Sequence, residues 1–265
     1  SETFITGSRD LTAKIYSLDP MPGFPVNLAG HKDVVVGAFL GEDGVAYTVA
    51  RDGCCVTWKR KEDAEGGGGG DSLTRKRGRT SAGWALDTRH FFHQKKAQCA
   101  TIHKASNLLV VGFSSGIFGL YELPTCNTIH TLSISTHKIS TVSVNASGEW
   151  LAFGSERLGQ LLVWEWQSET YVLKQQGHAH GMNAVSYSPN GAMMVTGGED
   201  SKVKVWHTST GFCFITFTEH TAAVRAVEFM RKGNAVVSAS LDGSVRAFDL
   251  VRYRNFRTLT TPAPT

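Results

Sequence analysis

The stretch VTGGEDSKVKVW, Val195 to Trp206, decides how this chain folds. It runs from an apolar segment through a polar turn at Asp200 into an alternating segment that closes on an aromatic, the pattern of two short strands joined by a tight turn. The same frame recurs in FITGSRDLTAKIY (4–16), YTVARDGCCVTW (47–58), VVGFSSGIFGLY (110–121), AFGSERLGQLLVW (152–164) and VSASLDGSVRAF (237–248). The closing aromatics are Tyr16, Trp58, Tyr121, Trp164, Trp206 and Phe248, spaced by 42, 63, 43, 42 and 42 residues. One interval is longer by about 21 residues, and it contains KRKEDAEGGGGGDSLTRKRGR (59–79) with its run Gly66–Gly70. The repeat resumes in phase afterwards, so this stretch is an insertion within a repeat and not a linker between domains.

A second marker keeps the same register. His31, His93, His137, His178 and His220 stand 21 or 22 residues before Asp52, Ser115, Leu158, Asp200 and Asp242, with Asp10 opening the series of turn positions. Between histidine and turn lies another alternating segment, as in NAVSYSPNG (183–191), where Ser-Pro-Asn-Gly supplies a hairpin turn. Four short strands per period, with this loop histidine and closing tryptophan, resemble the WD40-repeat β-propeller family along the whole chain except the insertion. The expected fold is therefore all-β: five four-stranded blades and one that lacks its innermost strand, an excerpt of a longer, two-propeller chain. The blades are placed at 1–29, 30–92, 93–135, 136–176, 177–218 and 219–260, with a flexible insertion at 59–83 in the second.

The resemblance also implies a role for the recurring polar residues. In the family a carboxylate accepts from the loop imidazole, the imidazole pairs with a hydroxyl, and the hydroxyl accepts from the indole N–H. His31, Thr48, Asp52 and Trp58 match this tetrad, as do His178, Thr196, Asp200 and Trp206. His220, Ser238 and Asp242 match as far as Phe248, which has no donor. Thr6, Asp10 and Tyr16 form a remnant, and the third and fourth repeats, with Val111 and Ser115 and with Gly154 and Leu158, are expected to hold by apolar packing.

Composition narrows the chemistry. The 265 residues are 41% hydrophobic with 28 glycines and seven prolines, suited to a large core of short strands and turns. No apolar run reaches membrane-spanning length, and no leader-like segment opens the chain. Five scattered cysteines suggest neither a disulfide framework nor a zinc site, and a reducing compartment is the simpler reading. The recurring His, Ser/Thr and Asp do not read as a hydrolase, because they repeat once per blade and are tied to one another. GFSSG (112–116) carries the spacing of a nucleophile elbow but runs into the strand pattern IFGLYEL. The histidines occupy successive equivalent places and cannot converge on a metal. NAS (145–147) is a chance sequon in a chain with no sign of secretion, and the pentaglycine lacks the lysine of a phosphate loop. Neither cofactor nor catalytic residue is expected.

Two features point to binding. The net charge of +4 resides in Lys59–Lys96, where ten Lys/Arg face five Asp/Glu. Within it Arg75, Lys76, Arg77 and Arg79 form either a phosphate-attracting cluster or a solvated loop. VRYRNFR (251–257) reads as an outermost strand with Arg252 and Arg254 on one face and Tyr253 on the other. That pattern serves phosphate contact or a charged edge that blocks strand pairing. Trp164 and Trp166 of LLVWEWQ share a face and are expected to pack between blades.

More specific stretches, EWLAFGSERLGQLLVWEWQSETYVLKQQGH (149–178), TGFCFITFTEHT (210–221) and SLDGSVRAFDLVRYRNFRTLT (240–260), resemble the periodic tryptophan protein two family. That resemblance implies a non-enzymatic nucleolar scaffold with tandem propellers in the small-subunit processome. Its implied partners are other WD40-propeller subunits, pre-ribosomal RNA and a box C/D small nucleolar ribonucleoprotein, with no membrane and no small-molecule substrate. A generic WD40 protein-interaction adaptor or substrate receptor is the alternative. Glycines stand here where the family carries an acidic insertion around Glu62–Arg79.

Overall fold

The computed structural model describes residues 2–19, 23–41, 44–60, 83–94 and 96–260, and all its regular elements are strands. The core of the 59–83 insertion thus lies outside the described residues. The first sheet has three strands, β1 (Thr3–Gly7), β2 (Thr12–Ser17) and β3 (Val26–Ala29). Five four-stranded antiparallel sheets follow in chain order. They are β4 (Val35–Leu40), β5 (Val45–Ala50), β6 (Cys54–Arg60) and β7 (Trp84–Phe91); then β8 (Ala97–His103), β9 (Leu108–Phe113), β10 (Ile117–Glu122) and β11 (Asn127–Ser133). Next come β12 (Ile139–Val144), β13 (Trp150–Ser155), β14 (Gln160–Glu165) and β15 (Thr170–Gln176). The last two are β16 (Met182–Tyr187), β17 (Met193–Gly198), β18 (Val203–His207) and β19 (Cys213–Phe217), and β20 (Val224–Phe229), β21 (Ala235–Ser240), β22 (Ser244–Asp249) and β23 (Arg254–Thr260). Each sheet has the antiparallel form of a WD40 propeller blade, and the first is three-stranded.

Two compact units divide at Ala97 and Gln98. In the first, Ala13, Ile15 and Leu28 of the three-stranded sheet pack with Ala46, Val56 and Trp58 of the next. The second builds a core between each pair of successive sheets. Phe118 and Leu120 meet Ile139 and Phe153; Ala152 and Val163 meet Met182 and Tyr187; Val203 and Val205 meet Val224 and Phe229. Each fully buried aliphatic side chain of this kind contributes about 1.5–3 kcal/mol.

The sequence period reappears as main-chain geometry. Each third strand pairs with its fourth through a bulge at the closing aromatic, at Thr57/Trp58, Leu120/Tyr121, Val163/Trp164, Val205/Trp206 and Ala247/Phe248. Two residues beyond that aromatic, one N–H donates to the hairpin joining the first and second strands. The bonds are Arg60 to Gly44 O (2.9 Å), Leu123 to Asn107 O (2.8 Å), Trp166 to Glu149 O (3.3 Å), Thr208 to Ala192 O (3.0 Å) and Leu250 to Asn234 O (3.0 Å).

Successive sheets of the second unit are also pinned by side chains of the first strands. Cys99 Sγ donates to Ile139 O at 3.7 Å, Ser140 Oγ to Met182 O, and Asn183 Nδ2 to Val224 O at 3.0 Å. Burial pushes the Cys99 thiol up to about 12, so it remains a donor. Beside these bonds a glycine admits the incoming residue: a Cβ on Gly197 would lie 2.6 Å from Val224 Cγ1. Any larger residue there would push the two sheets apart.

Candidate partner-binding surface

The polar tetrads set the loops that frame this surface. In the fifth sheet His178 Nδ1 lies 2.8 Å from Asp200 Oδ1, and its Nε2 lies 2.8 Å from Thr196 Oγ1. Trp206 Nε1 donates to the same hydroxyl at 2.9 Å. With Asp200 accepting, the imidazole proton sits on Nδ1 and the threonine hydroxyl donates to Nε2. Burial alone would raise the Asp200 carboxyl, but the hydrogen bond and charge of His178, with the N–H groups of Ala179 and Lys202, hold it down at about 2. The sixth sheet repeats the arrangement: His220 Nδ1 to Asp242 Oδ2 at 2.7 Å and Nε2 to Ser238 Oγ at 2.6 Å. Burial opposes the Asp242 carboxylate too, and bonds from Ser244, His220 and Thr221 more than offset it, so its carboxyl is lowered. Phe248 fills the tryptophan's place by stacking on Phe217, ring centroids 4.2 Å apart.

The second sheet departs from the expected tetrad. His31 Nε2 lies 2.6 Å from Thr48 Oγ1, and Trp58 Nε1 donates to that hydroxyl at 2.8 Å. Asp52, however, is exposed; its Oδ1 accepts from the N–H of Cys54 at 3.0 Å, and His31 Nδ1 is buried without a partner. Across the sheet Arg89 donates to Gly30 O at 3.0 Å. Burial lowers the His31 pKa, with Asp52 opposing and Arg89 adding to the effect. Three of the four predicted residues are therefore joined; Asp52 keeps the turn bond that Asp200 and Asp242 also make, but not the bond to its imidazole.

In the first sheet Asp10 Oδ1 is taken by the hydroxyl and N–H of Thr12, at 2.6 and 3.0 Å, and Tyr16 stacks on Phe4. In the fourth, Trp164 Nε1 is buried with no partner, since Gly154 replaces the hydroxyl residue. Trp166 donates its indole N–H to Gly148 O at 2.8 Å and packs against the apolar core beside it. GFSSG joins β9 to β10, strand to strand, with no helix after the serine. Among the described residues no cluster of His, Cys, Asp and Glu could hold a metal, and no helix is long and apolar enough to cross a membrane. None of the five cysteines is in a disulfide.

Of the predicted binding residues, Arg75, Lys76, Arg77 and Arg79 lie outside the described residues. Arg252 and Arg254 are exposed, but they do not lie on one strand as the alternation suggested. β23 begins at Arg254, and Val251–Tyr253 form the turn before it, with Tyr253 at φ +54°. The cause is Asp249, whose Oδ1 accepts from the N–H groups of Val251 (2.8 Å) and Arg252 (3.1 Å) and curls the chain there. Those two bonds also lower the Asp249 carboxyl. The structure adds an exposed Arg257 on β23, which the sequence pattern contained but the alternation argument passed over. Arg252, Arg254 and Arg257 thus present cations at one hairpin, next to exposed Tyr253 and Phe256.

Comparison with known proteins bears on this surface. The model of the WD domain, G-beta repeat, matches residues 169–207 and 211–249. Periodic tryptophan protein 2 of Arabidopsis thaliana is 39% identical over 322 aligned residues, covering 100% of this chain and 36% of the relative. Periodic tryptophan protein 2 of Saccharomyces cerevisiae is 48% identical over 272 residues, 98% of this chain and 29% of the relative. The Dictyostelium discoideum homolog is 58% identical over 172 residues, 64% of this chain and 19% of its own length. The chain spans about a third of the length of the curated relatives it matches, or less. With its 42-residue beat, its strand-only sheets and its His–Thr–Trp bonds, this chain carries WD40 repeats and, along its own whole length, resembles part of Periodic tryptophan protein 2.

Proposed function

We propose that this chain is the propeller part of a non-enzymatic scaffold subunit of the small-subunit processome. In this reading it acts in the nucleolus, in pre-ribosomal RNA processing and small-subunit assembly. The observation that carries the reading is the likeness to Periodic tryptophan protein 2 over 100% of the chain. The surface chemistry agrees with it. Stacked blades offer loops and exposed fourth strands for several partners, and affinity then comes from area and complementarity. Its partners are other WD40-propeller subunits, pre-ribosomal RNA and a box C/D small nucleolar ribonucleoprotein. Arg252 and Arg254, and with them Arg75, Lys76, Arg77 and Arg79 of the insertion, are the candidate contacts to RNA phosphates. The blade bounds of the sequence reading belong to the same proposal.

Affinity purification with RNA sequencing tests the reading. Pre-ribosomal RNA and other propeller subunits are expected in the purified material; their absence ends it. Direct RNA binding has its own measurement. Changing Arg252 and Arg254 to Ala should flatten the salt dependence of RNA binding, by about one unit of slope for each phosphate no longer neutralised. An unchanged slope assigns those arginines to other work.

A further inference from the structure

We propose that the groove between the β12–β13 and β16–β17 hairpins takes an arginine side chain from a protein partner. The groove measures about 710 Å³, and Asn145, Glu149, Trp150, Asn190, His207 and Thr208 are on its wall. Its presence at this blade has a sequence cause. In the third, fourth and sixth sheets the residue two beyond the closing aromatic is tucked under the hairpin by the same main-chain bond and is apolar, a buried leucine at Leu123 and Leu250 and a tryptophan at Trp166, whereas the second sheet has an exposed Arg60 there. The fifth sheet places Thr208 there, a shorter side chain whose hydroxyl is buried and unpaired. A lone buried hydroxyl destabilises the fold, and a leucine would remove that cost. A buried hydroxyl left without a partner, and without gain to the fold, marks a position kept for something else.

The polar groups of the groove define what it accepts. Asn145 Oδ1 accepts from the N–H groups of Glu149 and Trp150, both at 3.0 Å, and Asn190 Oδ1 from that of Ala192 at 3.1 Å. Those three hairpin amides are therefore spent on the hairpins' own side chains. No lysine or arginine lines the groove; its charged side chain is the Glu149 carboxylate. Glu165 is the register partner of Trp150 across the β13–β14 ladder, so a second carboxylate lies on the strand beside the groove wall. Acceptors and an aromatic ring without compensating cations repel phosphate and suit a planar guanidinium, which brings five donors and stacks on rings. The proposal does not rest on the processome reading, since it concerns a protein side chain and residues other than those of the arginine hairpin at 252–257.

The experiment is a titration of the full chain, labelled for amide NMR, with a short peptide of alternating glycine and arginine. Its glutamate counterpart and a uridine oligonucleotide run in parallel. Saturable shifts of the Ala192 and Ser209 amides with the arginine peptide alone are expected. Glu149→Gln with Glu165→Gln should weaken them at least tenfold. Thr208→Leu supplies the side chain that the third and sixth sheets already hold, so it should keep the fold, seen in the rest of the spectrum, and abolish the shifts. No saturable shift, equal affinity in Thr208→Leu or in the glutamine pair, or the same shifts with the oligonucleotide overturns the proposal.

Discussion

The fifth and sixth sheets share one sequence pattern and one register, yet their exposure differs. Val195, Val203, Val205 and Phe217 are buried in the core against the sixth sheet. Their counterparts 42 residues on are Val237, Val245, Ala247 and Leu259, and there Val245 is 37% exposed and Leu259 56%. The tetrad bonds of the two sheets are nearly alike, at 2.6 to 2.8 Å from histidine to its partners. Polar loops are therefore local to a blade, whereas the burial of a blade's apolar face is supplied by the sheet stacked on it. Stability in such an array is a sum of blade terms and nearest-neighbour terms, and the comparison separates the two.

Substitutions can break or sharpen this contrast. The largest effect is expected at the shared interface: Phe217→Ala should cost about 3–5 kcal/mol in denaturant unfolding, against less than about 0.5 kcal/mol for Leu259→Ala. Equal losses at the two positions would mean that the sixth sheet's face is covered as well. Next comes the local term. Asp200→Ala should destabilise by about 2–4 kcal/mol, since it strips the buried His178 of its acceptor. Measured in the same way, Asp52→Ala should lose less than about 0.5 kcal/mol, because Asp52 does not hold His31. A loss at Asp52 as large as that at Asp200 would show a closed tetrad in the second sheet.

The smallest and most diagnostic effect is in pH. Asp200 titrates at about 2 in the folded chain, below an unfolded value of about 3.9. Its contribution is therefore complete above about pH 5 and is lost as pH falls toward 2. The stability gap between the wild type and Asp200→Asn should close over that window. A constant gap would remove the carboxylate–imidazole bond from the account.

Much of this was legible in the chain. Apolar alternation, turn residues and a 42-residue period specify which segments are strands and where each hairpin turns, because these depend on neighbours close in sequence. The His–Ser/Thr–Trp spacing likewise places three groups at fixed offsets on adjacent strands. The misses are of another kind. Asp52 shares its spacing with Asp200 and Asp242 and makes the same turn bond, yet it does not reach His31, a difference that the spacing does not carry. Asp249 curled VRYRNFR into a turn where alternation alone had continued the strand. The groove beside Thr208 comes from a side chain being smaller than its equivalents, which matters only once two hairpins are brought side by side.

The sequence by itself determined the strands, their pairing order, the blade period and the identity of the bonded histidines, all consequences of short-range geometry repeated many times. Only the tertiary structure decided which carboxylate meets its imidazole, where the exposed arginines lie and which apolar faces are covered. Those outcomes turn on competition among partners far apart in the chain, settled by fractions of an ångström and a few kcal/mol.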